Sequence, residues 1–256
     1  MNSHVIPKWA YRRTRDVSGA AGSPHPIRVQ DGVALQTSAQ ITEHMLCEPC
    51  EQLFSRDEDY VSKLAYQEDQ SLGLAQYIRE DTIISRGLQM LAGVQTRAVP
   101  ISHLDCQAIA RFAASVFWRA HSARVHRIEA LRLWKDQAEA LRLFVRGERR
   151  LPDRMCLTLF VPVDGAFTLT GTLSSTLLTP STGIKGDDSV HQFLVPGLLF
   201  NLTTGSHSIP ELCLACGGSP HALIQHWRSI RMLTKAAQMI GTAEPKGRGA
   251  RAARNF

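Results

Sequence analysis

The chain has 256 residues, 44% of them hydrophobic, enough to bury a substantial core as one large domain or two small ones, so a globular protein is the default class. It has no apolar run of about 18 residues, and residues 1–20 are basic and polar, which argues against a membrane span or a secretory signal and makes a reducing, cytoplasmic setting the expected one. The formal charge of +6 and a pI near 9.2 suggest acidic partners.

Residues 1–40 read as short extended pieces broken by Pro, Gly and Ser, with no helical period. After Cys47, the spacing of Leu53, Phe54, Tyr60, Val61 and Leu64 predicts a helix that begins at or near Cys50, with Asp57, Glu58 and Asp59 on its solvated side. A core helix follows, carrying Leu104, Ile109, Phe112, Val116 and Phe117, with Ser102 as its cap and Asp105 complementing its dipole. Trp118 and Phe117 read as core residues rather than a base-stacking platform.

The run RIEALRLWKDQAEALRLFVRG predicts another amphipathic helix, ended by Gly147 and the Pro152 break. This stretch concentrates positive charge in Arg124, Arg127, Arg132, Arg142, Arg146, Arg149 and Arg150, and the C-terminus adds Lys246, Arg248, Arg251 and Arg254. Nucleic acid is a natural partner for such a field, and a solvated helix face is the competing reading.

Beyond Arg154 the period changes. MCLTLFVPV and AFTLTGTLSS read as strands joined by an Asp164-Gly165 turn, and HQFLVPGLLFNLTTG as a further strand region. A last helix is expected over 219–240, with Ser219 as cap, Pro220 at its first position, and His221 and His226 on different sides. Residues 242–256 read as a disordered basic tail. The fold class is α+β, with an N-terminal segment at 1–70 and an α+β domain at 71–241.

Four of the six cysteines form two Cys-x-x-Cys pairs, while Cys106 and Cys156 sit in apolar surroundings and read as core residues. The Cys47/Cys50 spacing lets two thiolates reach one zinc ion, and the helix start favours thiolate; a thioredoxin-like redox pair is the competitor, but no strand of a βαβ unit precedes it. Structural zinc normally takes four ligands. Cys213 and Cys216, followed by Gly217-Gly218 as in a zinc knuckle, are the obvious source of the others, in one four-cysteine site or as an independent pair. His44 could be a further ligand or a plain strand-end histidine.

The runs Asn2-Ser3-His4-Val5-Ile6-Pro7-Lys8, Val29-Gln30-Asp31-Gly32 and Leu46-Cys47-Glu48-Pro49-Cys50, with Phe54-Ser55, resemble motifs of HNH (His-Me finger) endonucleases. They are closer still to a group of uncharacterised bacterial HNH-like proteins carrying Ser-His-Ile-Ile-Pro-Lys; the FWRA run at 117–120 and FLVPGLLFNL at 193–202 are also similar to that group. The resemblance implies an HNH, treble-clef-like zinc finger packed on a helical and antiparallel-strand domain. It implies structural Zn2+, a catalytic Mg2+ or Mn2+, and hydrolysis of nucleic-acid phosphodiesters with His4 as general base. Glu51 stands at the place of a metal ligand on the helix, Ser3 stands where an aspartate is usual, and Asp57 and Glu58 are further oxygen donors. Such proteins carry a first Cys-x-x-Cys ahead of the Ser-His run; Cys213 and Cys216 take that role here, or the protein extends upstream of Met1. A non-catalytic zinc-stabilised scaffold for nucleic acid or a protein partner is the alternative.

Overall fold

The computed structural model describes residues 2–13, 27–30, 32–36, 40–65, 73–74, 88–91, 94–123, 131, 133–163, 178–185, 188–205, 212–215 and 220–246. Strand β1 (Asn2–His4) pairs antiparallel with β4 (Thr42–His44), His4 opposite Thr42, and β4 leads into helix α2 (Glu48–Ala65). Between the two strands come α1 (Lys8–Arg13) and the hairpin of β2 (Ile27–Gln30) with β3 (Val33–Gln36). α1 falls where only extended pieces are expected. At six residues it is too short to show a period, and it is held by Ala10 N–H donating to Pro7 O and by burial of Ala10 and Tyr11.

α2 begins at Glu48, two residues before Cys50, and Cys47 takes the cap position, with Glu51 N–H donating to Cys47 O at 3.1 Å. Its acidic run is only partly a solvated face: Asp59 is exposed, Glu58 is half-buried, and Asp57 is buried. Asp57 is buried because Arg111 of α3 (Cys106–Ser122) donates to both its oxygens, at 2.8 and 2.9 Å. α2 and α3 run antiparallel: Phe54 packs edge-on against Trp118, Asp57 meets Arg111, and the Tyr60 hydroxyl accepts from Asp105 N–H. The cap of α3 is Asp105, whose side chain accepts from Ala108 N–H at 2.9 Å, rather than Ser102.

Helix α4 (Lys135–Val145) is shorter than its sequence pattern, opening after Trp134, whose N–H donates to Gln137 Oε1. It closes at Gly147, where φ of +72° and a bond from its N–H to Phe144 O end the last turn.

The main sheet has seven strands in the order β5-β6-β11-β7-β10-β9-β8. They are β5 (Leu88–Leu91), β6 (Val94–Pro100), β7 (Met155–Val163), β8 (Leu178–Lys185), β9 (Asp188–Val195), β10 (Leu198–Thr204) and β11 (His221–His226). Neighbours are antiparallel except β11 and β7. The expected Asp164-Gly165 turn and the strand at 166–175 lie outside the described residues, and β7 pairs instead with β10 and β11.

FLVPGLLF is continuously apolar because both faces of this sheet are covered. Phe193, Val195, Leu198 and Phe200 face α3, where Phe112 meets Phe193 and Phe200 edge-on and Phe117 meets Phe193 edge-on, and Leu194 and Leu199 join a second cluster with Phe160, Leu223, Ile230 and Leu233. The first cluster also takes in Val5, Ile6, Tyr11, Leu46 and Phe54, so the segments around β1 and β4, α1 and α2 share one core with the sheet.

The expected last helix is corrected most. Residues 221–226 are the strand β11, because Ala222, Leu223 and Ile224 are buried between β6 and β7, and the helix, α5 (Arg231–Thr242), starts only after a 3-10 turn at Trp227–Ser229. His221 and His226 are therefore the ends of a strand. Glu244–Lys246 are not a disordered tail but a strand, β12, parallel to β3, whose Pro245 is tolerated at a sheet edge.

Candidate active site

His4 ends β1 on the less buried side of the strand. Its neighbours Ser3 and Val5 point the other way, into the core, since adjacent strand residues face opposite sides. Ser3 Oγ is buried with no hydrogen-bond partner, so the residue in an aspartate's place does not share the imidazole's face. The His4 ring is held on several sides. Nε2 lies 2.6 Å from Gln40 Oε1, the Tyr11 ring is tilted against it with centroids 6.3 Å apart, and the His4 carbonyl accepts from Arg119 Nη1 at 2.8 Å.

Arg119 is the hub behind this corner. It is 2% exposed, bonds Glu58 Oε1 at 2.7 Å and the Ser115 hydroxyl at 3.2 Å, and lies over the Phe54 ring at 5.6 Å. One guanidinium thus ties β1, α2 and α3 together. The bonds also decide which carboxylates are open to a cation: Asp57 and Glu58, both possible magnesium ligands by sequence, are engaged by Arg111 and Arg119. Glu51 is different. It shares the α2 face of Phe54 and Glu58, at three- and four-residue spacing, and its Oε1 is buried with no hydrogen-bond partner. An orphaned carboxylate oxygen is the donor a hard divalent cation takes, and Mg2+ is commonly held by one or two carboxylates together with substrate phosphate. Glu51 fits that part.

Cys47 is exposed at the α2 cap and Cys50 lies half-buried in the first turn. The Cys50 backbone N–H and then its thiol donate to the Cys47 sulfur and hold the Cys47 thiol below its ordinary value, while that same bond, followed by burial, raises Cys50. The pair can present two sulfurs to one metal. Cys213 does not join them. It is buried next to Leu214, whose N–H donates to Leu157 O, and Ala215, whose carbonyl accepts from Gln107 in the first turn of α3. The Cys47/Cys50 pair precedes Phe54, which meets Trp118 near the other end of α3, so the two sets are separated by most of that helix, roughly 20 Å. Cys216 lies outside the described residues. Among the described residues no three His, Cys, Asp or Glu side chains converge where they could hold a metal ion, and His44 is an exposed strand end.

Much of the arginine excess is neutralised internally. Arg142, Arg146 and Arg154 pair with Glu139, Glu148 and Asp136, leaving Arg149 and Arg150 exposed beyond the end of α4. Arg124, Arg127, Arg132, Arg248, Arg251 and Arg254 lie outside the described residues, and Lys246 is exposed on β12. Among the described residues, no helix is long and apolar enough to cross a membrane.

Sequence reasoning missed Gln40, Tyr11 and Arg119. Arg119 stood in the FWRA run, whose apolar neighbours marked the arginine as buried; Gln40 and Tyr11 carried no comparable signal. No family model matches the chain, and no match was found among curated proteins or solved structures.

Proposed function

We propose that the protein is an HNH-like nuclease that hydrolyses phosphodiesters of nucleic acid with the help of a divalent cation, His4 acting as general base. The observation that carries this reading is the unit formed by β1, β4 and α2: a strand ending in a histidine whose ring is oriented by Gln40, a partner strand, and a helix whose first turn holds an orphaned carboxylate oxygen on Glu51. The HNH resemblance implies a β-hairpin and a helix around the metal; here the two antiparallel strands are neighbours in space with α1, β2 and β3 between them in the chain, and the helix follows the second.

In this reading the free ring nitrogen of His4 takes the proton from the attacking water, and the bond to Gln40 together with the Arg119 clamp on the His4 carbonyl keeps the imidazole in place. Glu51 would hold Mg2+ or Mn2+, which when bound supplies positive charge to the phosphate. Cys47 and Cys50 would give a structural zinc two of its four usual ligands, the other two coming from elsewhere than Cys213. The buried Ser3 hydroxyl and the arginine-engaged Asp57 and Glu58 favour the second reading, a non-catalytic scaffold that binds nucleic acid.

Purified protein is incubated with plasmid and with RNA in Mg2+ or Mn2+, beside His4→Ala and Glu51→Gln. The nuclease reading expects metal-dependent cleavage that falls by about 10²–10⁴-fold in His4→Ala. Binding without cleavage would establish the scaffold instead.

A further inference from the structure

We propose that Gln40 is a positioning residue: it holds His4 in the tautomer with hydrogen on Nε2, leaving Nδ1 as the nitrogen that accepts a proton. This rests on the reading of His4 as base. A neutral imidazole has one N–H donor and one lone pair, and whichever nitrogen faces an acceptor carries the hydrogen. Here Nε2 faces the amide oxygen of Gln40 at 2.6 Å. The lone pair is therefore on Nδ1.

The backbone explains why Gln40 can do this with a flexible side chain. The β1–β4 ladder pairs His4 with Thr42 and continues through Val5 N–H to Ile41 O at 3.0 Å, which makes Gln40 a diagonal neighbour of His4 on the same face. Ile41 is pinned a second time, its N–H donating to the Tyr11 hydroxyl at 3.1 Å. Tyr11 itself is buried, and its ring lies against the imidazole. The residue next to Gln40 is thus fastened to β1 and to α1, and the amide only has to extend along the β1–β4 ladder to reach Nε2. On the far side of the same residue, Arg119 holds the His4 carbonyl. Ring and backbone of His4 are set by different partners, so the ring's hold can be removed without loosening the strand.

The test is long-range nitrogen–proton NMR of ring-labelled full-length protein, at a pH where His4 is neutral, for the wild type, Gln40→Leu and Gln40→Glu, with cleavage kinetics on the same samples. The wild type is expected to show hydrogen on Nε2, Gln40→Leu a mixture of tautomers, and Gln40→Glu, which keeps an acceptor oxygen, the wild-type pattern. In Gln40→Leu kcat should fall roughly 10-fold with KM little changed, less than the loss expected from removing the base. Hydrogen on Nδ1 in the wild type, or an unchanged tautomer in Gln40→Leu, overturns the proposal. A wild type that cleaves nothing yet shows the expected tautomer pattern upholds Gln40's hold on the ring and overturns the hydrolytic reading instead. Gln40 is partly exposed, so thermal melts of both variants should match the wild type and exclude unfolding as the cause.

Discussion

His191 should make this protein lose stability in mild acid. It lies on β9 two residues from Phe193, is 1% exposed, and neither ring nitrogen has a hydrogen-bond partner. Burial, and after it the charge of His121, lowers its pKa from 6.5 to about 4. Because the folded value is below the unfolded one, the unfolded chain takes up the proton first, so the contribution is whole above pH of about 6.5 and is lost as pH falls through about 4. The full gap corresponds to about 3 kcal/mol, and between pH 7.5 and pH 4.5 the loss should come to about 2.5 kcal/mol. His191→Leu removes the titration while keeping an apolar side chain in the space. Urea unfolding of both proteins at the two pH values isolates the effect, since every other titrating group is common to both. The variant should gain about 2.5 kcal/mol on the wild type on going to pH 4.5. A difference that stays constant across that range would refute the assignment of His191 as a buried neutral imidazole.

Two further outcomes concern Arg119 and the cysteines. Arg119→Met leaves Glu58 charged and unpaired beside Phe54 and should lower unfolding free energy by about 3–5 kcal/mol, with much of it regained in Arg119→Met/Glu58→Leu; denaturant titration measures both. In metal-free protein Cys47 should be alkylated first, as an exposed thiol with lowered pKa, and mass spectrometry should find Cys106, pushed up to about 11 by burial, lagging well behind and the buried Cys156 and Cys213 labelled only on unfolding.

Where local pattern and tertiary context agree, the sequence was sufficient. The apolar spacing from Leu104 to Ala120 is that of a helix buried along much of its surface, and α3 is that helix. MCLTLFVPV, with its β-branched and apolar run, is β7. The α+β class follows from these two kinds of segment. The failures are those of competition between levels. HALIQH carries a good helix cap before it and no strand alternation, yet two strands flank it and bury Ala222 to Gln225, so pairing decided its conformation. Asp57 and Glu58 look solvated because a carboxylate usually is; their arginine partners are 54 and 61 residues away, and nothing local announces them. At the candidate site the histidine was legible from its motif, whereas Gln40, distant by 36 residues, becomes its neighbour only through the β1–β4 register.

The charge pattern changes meaning in the same way. Read along the chain, the arginines of α3 and α4 suggest a surface for phosphates, but Arg111 and Arg119 are the counterions of α2, and Arg142, Arg146 and Arg154 have carboxylate partners. Exposed ion pairs of this kind are worth little to stability, and an incoming phosphate can displace a carboxylate from them, whereas the buried Arg119 pair cannot be opened without leaving an uncompensated charge. Of the arginines of α3 and α4, those open to a phosphate lie on α4 and beyond its C-terminal end, where Arg142 and Arg146 also lie close enough to the Cys47/Cys50 pair for their charges to act on Cys50 or be acted on by it. That places positive charge, the two thiols and the first turn of α2 on one side of the molecule. Glu51, one residue beyond Cys50, is the carboxylate in that turn with an oxygen left free by the protein itself. A buried, unbonded carboxylate oxygen costs about 1–3 kcal/mol or more, so the unpartnered Glu51 oxygen is the feature that weighs toward the proposed chemistry over mere binding.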